Sequence, residues 1–246
     1  MGQEHLDFCD DIRIPLFFSL SVNDPVVMNV EKKESLSAIQ TREIRRGRGG
    51  VRSRGRKCPP PGLTWRGAEA RVEKRKFLGK TVVVKDRFAR DYRIKEIDGK
   101  ARFERTKMEA KLLHKAKLAG VNAPVVFSVN ENTIIESFIE GKRPERITEE
   151  LAEEFGRILA RLHANDIIHG DFTPANIIQK GKKLYVIDFG LGFISNRIED
   201  KADDVFAMLR AIKGFEKDFA KGYSEYEKSE TVLKRVEEIK KRARYA

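Results

Sequence analysis

His169-Gly170-Asp171-Phe172-Thr173-Pro174-Ala175-Asn176, followed by Asp188-Phe189-Gly190, is the stretch that decides the fold. Asp171 and Asn176 follow the short apolar Ile167-Ile168, and Asp188 closes the apolar run Leu184–Ile187. Two acids and an amide at the ends of short buried strands suit phosphoryl transfer. The transferred group spreads negative charge over its oxygens, so the protein must position it and help neutralise it. Asp188 is expected to hold Mg²⁺ across nucleotide phosphates and Asn176 to complete a second metal position. Asp171 is expected to orient the attacking hydroxyl or water and accept its proton. Gly170 and Gly190 allow close turns beside the phosphates. Either tripeptide alone is a weak signal. Both, in this order and spacing, weigh heavily against the competing reading of polar turn residues ending strands.

Upstream, Thr81-Val82-Val83-Val84 is a β-branched strand that ends in Lys85. A lysine leaving a buried strand can reach nucleotide phosphates if an acid holds it. Glu109, near Leu112 and Leu113 in the next helix, is the expected partner; a snorkelling lysine and an exposed helical acid are the alternative. No GxGxxG loop precedes Lys85. Gly67-Ala68-Glu69-Ala70 is the best candidate for covering the phosphates, with Gly67 and Ala68 lending backbone amides, although Glu69 puts a negative charge there. Glu136-Ser137-Phe138 stands where a hinge should cross between lobes. Backbone groups of Glu136 to Phe138 are expected to hold adenine, with Ile135 and Ile187 above and below it. Asp204 begins an apolar helical face. It is either a buried acceptor for N–H groups of the 169–176 loop or an ordinary acid at a helix start.

The patterning gives strands at Ala68–Glu73, Lys76–Phe77 and Thr81–Lys85, then a helix over Ile97–Ala119 with Met108, Leu112, Leu113 and Ala116 on one face. Strands at Pro124–Ser128 and Thr133–Phe138 follow. Thr148 caps a helix over Glu149–Ala164. A hairpin is expected from Asn176–Gln179 and Leu184–Ile187, and helices over 200–213 and 225–244. The fold class is therefore α+β: a two-lobed, protein-kinase-like fold. Its N-lobe (about 63–138) is a small antiparallel sheet with one helix, and its C-lobe (about 139–246) is short and mostly helical. Only 56 residues follow Gly190, with no Ala-Pro-Glu motif among them, so a broad peptide-substrate platform is not expected.

The 246-residue chain carries 50 basic and 38 acidic residues, a formal charge of +12. That excess favours phosphate-bearing partners, although a charged surface of thermophile type gives the same count. Two cysteines outside any CxxC argue against disulfide scaffolds and zinc sites. With no apolar run of membrane-spanning length and no signal-like start, a cytoplasmic protein is expected. Residues 1–62 are left unassigned. Within them, the Arg- and Gly-rich 42–57 and the Pro59-Pro60-Pro61-Gly62 run read as linker or disordered segment, with an RNA-binding arm or a non-native extension as alternatives.

Several segments together resemble one family, the small atypical kinase/ATPase subunit of the KEOPS complex, the PRPK-type kinases. They are Arg66–Ala70, Tyr92–Asp98, Glu104–Ala110, Ile168–Asn176, Val186–Gly190 and Glu199–Asp204, with the basic tail Lys240–Arg244. The resemblance covers residues 65–246. It implies ATP and Mg²⁺ as cofactors, ATPase or Ser/Thr kinase activity, and support of threonylcarbamoyladenosine formation in tRNA. The partners it implies are the threonylcarbamoyl transferase subunit, a small regulatory subunit on the N-lobe, and tRNA. The basic tail is the expected tRNA contact. A RIO-type or other small atypical kinase is the alternative, and an RNA-binding scaffold with a structural nucleotide site is the alternative from another class.

Overall fold

The computed structural model describes residues 64–66, 70–89 and 95–243. The expectations placed on residues 1–62, on Gly67 and Ala68, and on the last three residues lie outside the described residues. All described residues belong to one compact unit, Cys58–Ala246.

The N-lobe is an antiparallel sheet in the order β1-β2-β3-β5-β4. Its strands are β1 (Thr64–Arg66), β2 (Arg71–Phe77), β3 (Lys80–Asp86), β4 (Val126–Asn130) and β5 (Thr133–Ser137). Strand β2 runs unbroken through Lys74-Arg75, where the pattern alone predicts a gap. These residues pair with Val83 and Val82, because the apolar central strand β3 templates the ladder along its whole length and overrides local propensity. Leu78 and Gly79, both at positive φ (48° and 73°), close the β2–β3 hairpin, as the right-handed twist of paired strands favours. Helix α1 (Lys95–Leu118) packs on this sheet. Leu112, Leu113 and Ala116 on its inward face are fully buried, and Met108 packs against the same cluster.

In the C-lobe, Thr148 accepts the Leu151 N–H at 3.3 Å and caps α2 (Glu149–Ala164). After it come β6 (Ile167–Ile168), a 3₁₀ turn (Pro174–Asn176), the β7 (Ile177–Lys180) and β8 (Lys183–Val186) hairpin, and β9 (Phe193–Ile194), which pairs with β6. Helices α3 (Ile198–Ala211), α4 (Glu216–Tyr223) and α5 (Ser229–Ala243) complete it. Neither β9 nor α4 is expected from the pattern. The eight-residue α4 lies between Gly214 and a tight turn and carries Gly222, so its helical signal is weak. Glycine is what places it: a Cβ on Gly156 would overlap the Phe219 carbonyl, and one on Gly222 the Glu153 carbonyl. The backbones of α2 and α4 thus touch directly.

One buried cation fastens the C-lobe. Lys201, 2% exposed, donates to the His163 carbonyl (2.9 Å), Asp166 Oδ1 (2.8 Å) and the Tyr226 hydroxyl (2.8 Å). Burial alone would lower its pKa; Asp166 and Tyr226 raise it instead. Among the described residues no helix is long and apolar enough to cross a membrane.

Candidate active site

Strand β3 and helix α1 deliver opposite charges to one point. Lys85 Nζ, at the end of β3, donates to Glu109 Oε1 at 2.7 Å and to Asp188 Oδ1 at 2.6 Å. Burial would lower the Lys85 pKa, but the facing Glu109 and Asp188 carboxylates outweigh it and hold it above the ordinary lysine value. Asp188 is pushed up by burial and down by Lys85 and the Gly190 N–H; the second group wins, so it stays ionised. Asp188 also sits at φ +62°, a left-handed backbone that costs a non-glycine residue energy. The turn it makes lets the Gly190 N–H reach Oδ1 at 3.3 Å.

Two further side chains complete this cluster, and sequence reasoning assigns neither side chain a role. Arg87 is 4% exposed, and its Nη2 donates to the other oxygen of Glu109 at 2.5 Å. Its signal is its position two residues beyond Lys85, on the same face of an extended chain. Glu136 is the other. Its side chain is buried on β5, and its pKa is pushed up to about 8, first by burial and then by the negative charge of Glu109, with Lys85 opposing. An acid within the apolar Ile134-Ile135 strand is the available signal.

The expected hinge role of this segment needs correction in one respect. The Ser137 N–H is taken by Val125 O (2.8 Å) and the Phe138 N–H by Thr81 O (3.3 Å). The sheet has used these donors, so a base would have to take an N–H from beyond Phe138.

The loop from His169 to Asn176 is held from behind. Asp204, 2% exposed, accepts the His169 N–H at 2.6 Å and the Gly170 N–H at 2.7 Å. Of the two readings open for Asp204, the buried acceptor is the one observed. The buried His169 ring lies 4.6 Å from Phe189 and 5.7 Å from Phe172, centroid to centroid. Its Nε2 faces the Ile187 carbonyl (3.1 Å) and its Nδ1 the Asp171 N–H (3.3 Å). A carbonyl can only accept, so the proton sits on Nε2 and the ring is neutral. Burial lowers its pKa in the same sense. Gly170 adopts φ +81°, and a Cβ there would overlap Leu191 O.

Asp171 projects from this frame and is exposed. Asn176 Nδ2 donates to both the carbonyl and Oδ2 of Asp171, each at 2.9 Å. The Ile187 N–H binds the Asn176 carbonyl at 2.9 Å, tying this loop to the strand end that carries Asp188. The chain therefore brings Lys85, Glu109 and Asp188 into one ion-paired cluster. Asp171 and Asn176 form a second pair, joined to the first through Ile187.

The donor set fits a hard cation. Among the described residues there is no group of three His, Cys, Asp or Glu able to hold a metal alone. The Asp188 carboxylate and the Asn176 amide oxygen offer two ligands, and Mg²⁺ is commonly held by one or two protein oxygens with phosphate and water supplying the rest.

Residues 71–231 match the RIO domain family model. A probable serine/threonine-protein kinase BUD32 homolog of Archaeoglobus fulgidus is 40% identical over 187 residues, covering 73% of this chain and 94% of that protein. A probable bifunctional tRNA threonylcarbamoyladenosine biosynthesis protein of Methanosarcina acetivorans is 44% identical over 177 residues, covering 68% of this chain. The match spans only 32% of that relative's length. Among solved structures, the ADP/Mg²⁺-phosphoaspartate complex of Rio2 kinase from Chaetomium thermophilum superposes with a TM-score of 0.52 at 16% identity, covering 75% of this chain and 71% of that one. The macrolide 2′-phosphotransferase MphH of Brachybacterium faecium superposes at 0.53 with 14% identity, covering 68% and 77%. At such identities the likeness is one of fold.

Proposed function

The chain belongs to the RIO domain family, on its BUD32 side, and from that premise we propose that it is an ATP- and Mg²⁺-dependent phosphotransferase or ATPase that serves threonylcarbamoyladenosine formation in tRNA. The two kinase readings that the sequence set against each other are compatible, since one chain matches both the RIO domain and a BUD32 homolog.

The observation that carries the proposal is the Lys85 ammonium bridging Glu109 and Asp188. Glu109 is fixed by Arg87 on its far side, so Lys85 is aimed rather than free. Lys85 then orients nucleotide phosphates, and Asp188 and Asn176 hold the cation. Bound Mg²⁺ supplies neutralisation of the phosphate charge. Asp171, oriented by Asn176, takes the proton of the attacking hydroxyl or water. His169 stays neutral and fixes the loop; it is no general base, because both ring nitrogens are engaged.

The threonylcarbamoyl transferase subunit, a small regulatory subunit on the N-lobe and tRNA are the proposed partners. Support comes from the names of the bifunctional relatives, about a third of whose length this chain matches. The test measures phosphate release and label transfer from ATP to protein side by side, with Mg²⁺ or chelator, alone and with the transferase subunit and tRNA. Metal-dependent turnover raised by the partner is expected. Turnover indifferent to chelation, or none in any mixture, would overturn the proposal.

A further inference from the structure

Between the segment that leaves β5 and the tip of the β7–β8 hairpin lies a cleft of about 560 Å³, lined by residues 140–146 and 179–181. Backbone bonds fix its walls: the Lys142 N–H reaches Gln179 O at 3.0 Å, and the Gln179 N–H reaches Lys142 O at 2.8 Å. A Cβ on Gly141 would overlap Gln179 O, so the two segments meet backbone to backbone. None of the lining residues belongs to the Lys85–Glu109–Asp188 cluster.

Cations dominate the lining of this cleft. Lys142, Arg143, Arg146 and Lys180 line it, and Lys182 and Lys183 extend it along the hairpin; all six are exposed. None of the six has an ion pair or hydrogen-bonding side-chain partner among the described residues. Glu140 and Glu145 also line the cleft but reach none of them. Lys180 and Lys183 are direct cross-strand partners. Like charges placed opposite each other destabilise a hairpin, so this tip gives up stability to keep its charge. The C-terminal helix, where the sequence points for RNA contact, keeps Lys241 and Arg242 exposed but has part of its charge engaged. There Arg235 is paired with Glu199 and Glu238, and Lys240 with Glu237. Part of that helix's positive charge is already neutralised internally.

We propose that the 140–146/179–183 cleft is a binding surface for the phosphate backbone of a folded RNA. The choice of RNA rests on the function proposed above; the anionic chemistry rests on the cleft itself. Exposed cations that have no partner among the described residues gain phosphate partners without first breaking ion pairs there. With no aromatic ring among the lining residues, the surface reads charge rather than bases.

The test uses the full chain and an unmodified tRNA transcript, with affinity read by fluorescence anisotropy over a range of salt. Two triple variants are compared with the parent, Lys142→Gln/Arg143→Gln/Arg146→Gln and Lys180→Gln/Lys182→Gln/Lys183→Gln. Each phosphate that goes unneutralised flattens the log–log salt slope by roughly 0.7–0.9, so each triple is expected to flatten it by about two units and weaken binding about tenfold or more at low salt. Mg²⁺-dependent ATP turnover should be unchanged, so failure of the RNA surface and failure of the phosphotransferase reading are separable. In the parent protein, tRNA should shield Lys180, Lys182 and Lys183 from a lysine-acylating reagent, read by mass spectrometry, which needs no variant to fold. Unchanged slopes with unshielded lysines would overturn the proposal. So would loss of binding only on removing residues 240–246, or shielding by an added protein partner and not by tRNA.

Discussion

Lys85 faces two carboxylates, and they do different work. In the proposed mechanism Asp188 turns toward a metal, whereas Glu109 stays. Arg87 explains how Glu109 stays, since it holds the second oxygen whatever Lys85 does. Asp188→Ala is expected to lower Mg²⁺-dependent ATP turnover roughly a thousandfold, the several kcal/mol that a metal ligand supplies to a transition state. Turnover within about tenfold of the parent would remove Asp188 from the metal site. Lys85→Ala and Glu109→Ala should be non-additive, the double variant turning over little more slowly than Lys85→Ala alone. Glu136 gives a pH dependence. Its carboxyl holds a proton up to about 8 in the folded chain, against an ordinary 4.5. Below about 4.5 both states are protonated and nothing is gained or lost. From there to about 8 only the folded state keeps the proton, so stability falls as pH rises, and above that it levels off. Glu136→Gln should flatten this decline and melt higher than the parent at alkaline pH, by on the order of a few kcal/mol. Denaturation across pH 4 to 9 decides it; parallel curves would mean that Glu136 is already ionised.

Among the elements, those carrying chemistry were the most legible. The loop from His169 and the turn at Asp188 were readable because phosphate chemistry restricts which residues stand at which spacing. Helix α2 was readable from its N-cap Thr148 and its apolar face, and its bounds agree with the pattern at both ends. Strand β2 was misread in its middle because a polar dipeptide hides pairing that only β3 can dictate. Helix α4 was missed because its reason to exist is a tertiary approach rather than a propensity. Gly156 and Gly222 let α2 and α4 meet backbone to backbone, and no local window contains both. Gly222→Ala should therefore destabilise the C-lobe by roughly 2–4 kcal/mol, since the added methyl meets backbone that cannot turn aside. Calorimetry of the variant measures this, and a shift in melting temperature under about 2 °C would mean the helices separate at little cost. The Arg87 side chain, and the Glu136 side chain as distinct from its backbone, are illegible for a related reason: one is a second cation and the other a third acid, and their meaning appears only once α1 and β5 face β3.

Across the whole molecule, the net charge of +12 said only that a phosphate-bearing partner was plausible. Which cations are free to meet one depends on which are already paired, and pairing is a tertiary property. Arg235 and Lys240 on α5 are engaged, whereas Lys142, Arg143 and Lys180 are not, among the described residues. The same distinction bears on residues 1–62, which hold a dense run of arginines between 42 and 57. Among the described residues, the buried members of the hydrophobic core cluster run from Leu112 to Val236, and the site draws on Lys85, Arg87, Glu109, Glu136, Asp171, Asn176 and Asp188, all outside 1–62. Removing residues 1–62 is therefore expected to leave Mg²⁺-dependent ATP turnover within about twofold. The melting temperature should stay within about 3 °C, which for a domain of this size corresponds to less than about 1 kcal/mol. If 42–57 acts as an RNA arm, the truncated chain will bind tRNA with a flatter salt slope and intact turnover. Loss of solubility, or a drop in melting temperature well beyond 3 °C, would instead show that the segment supplies apolar surface to the core and that the domain begins earlier than residue 63.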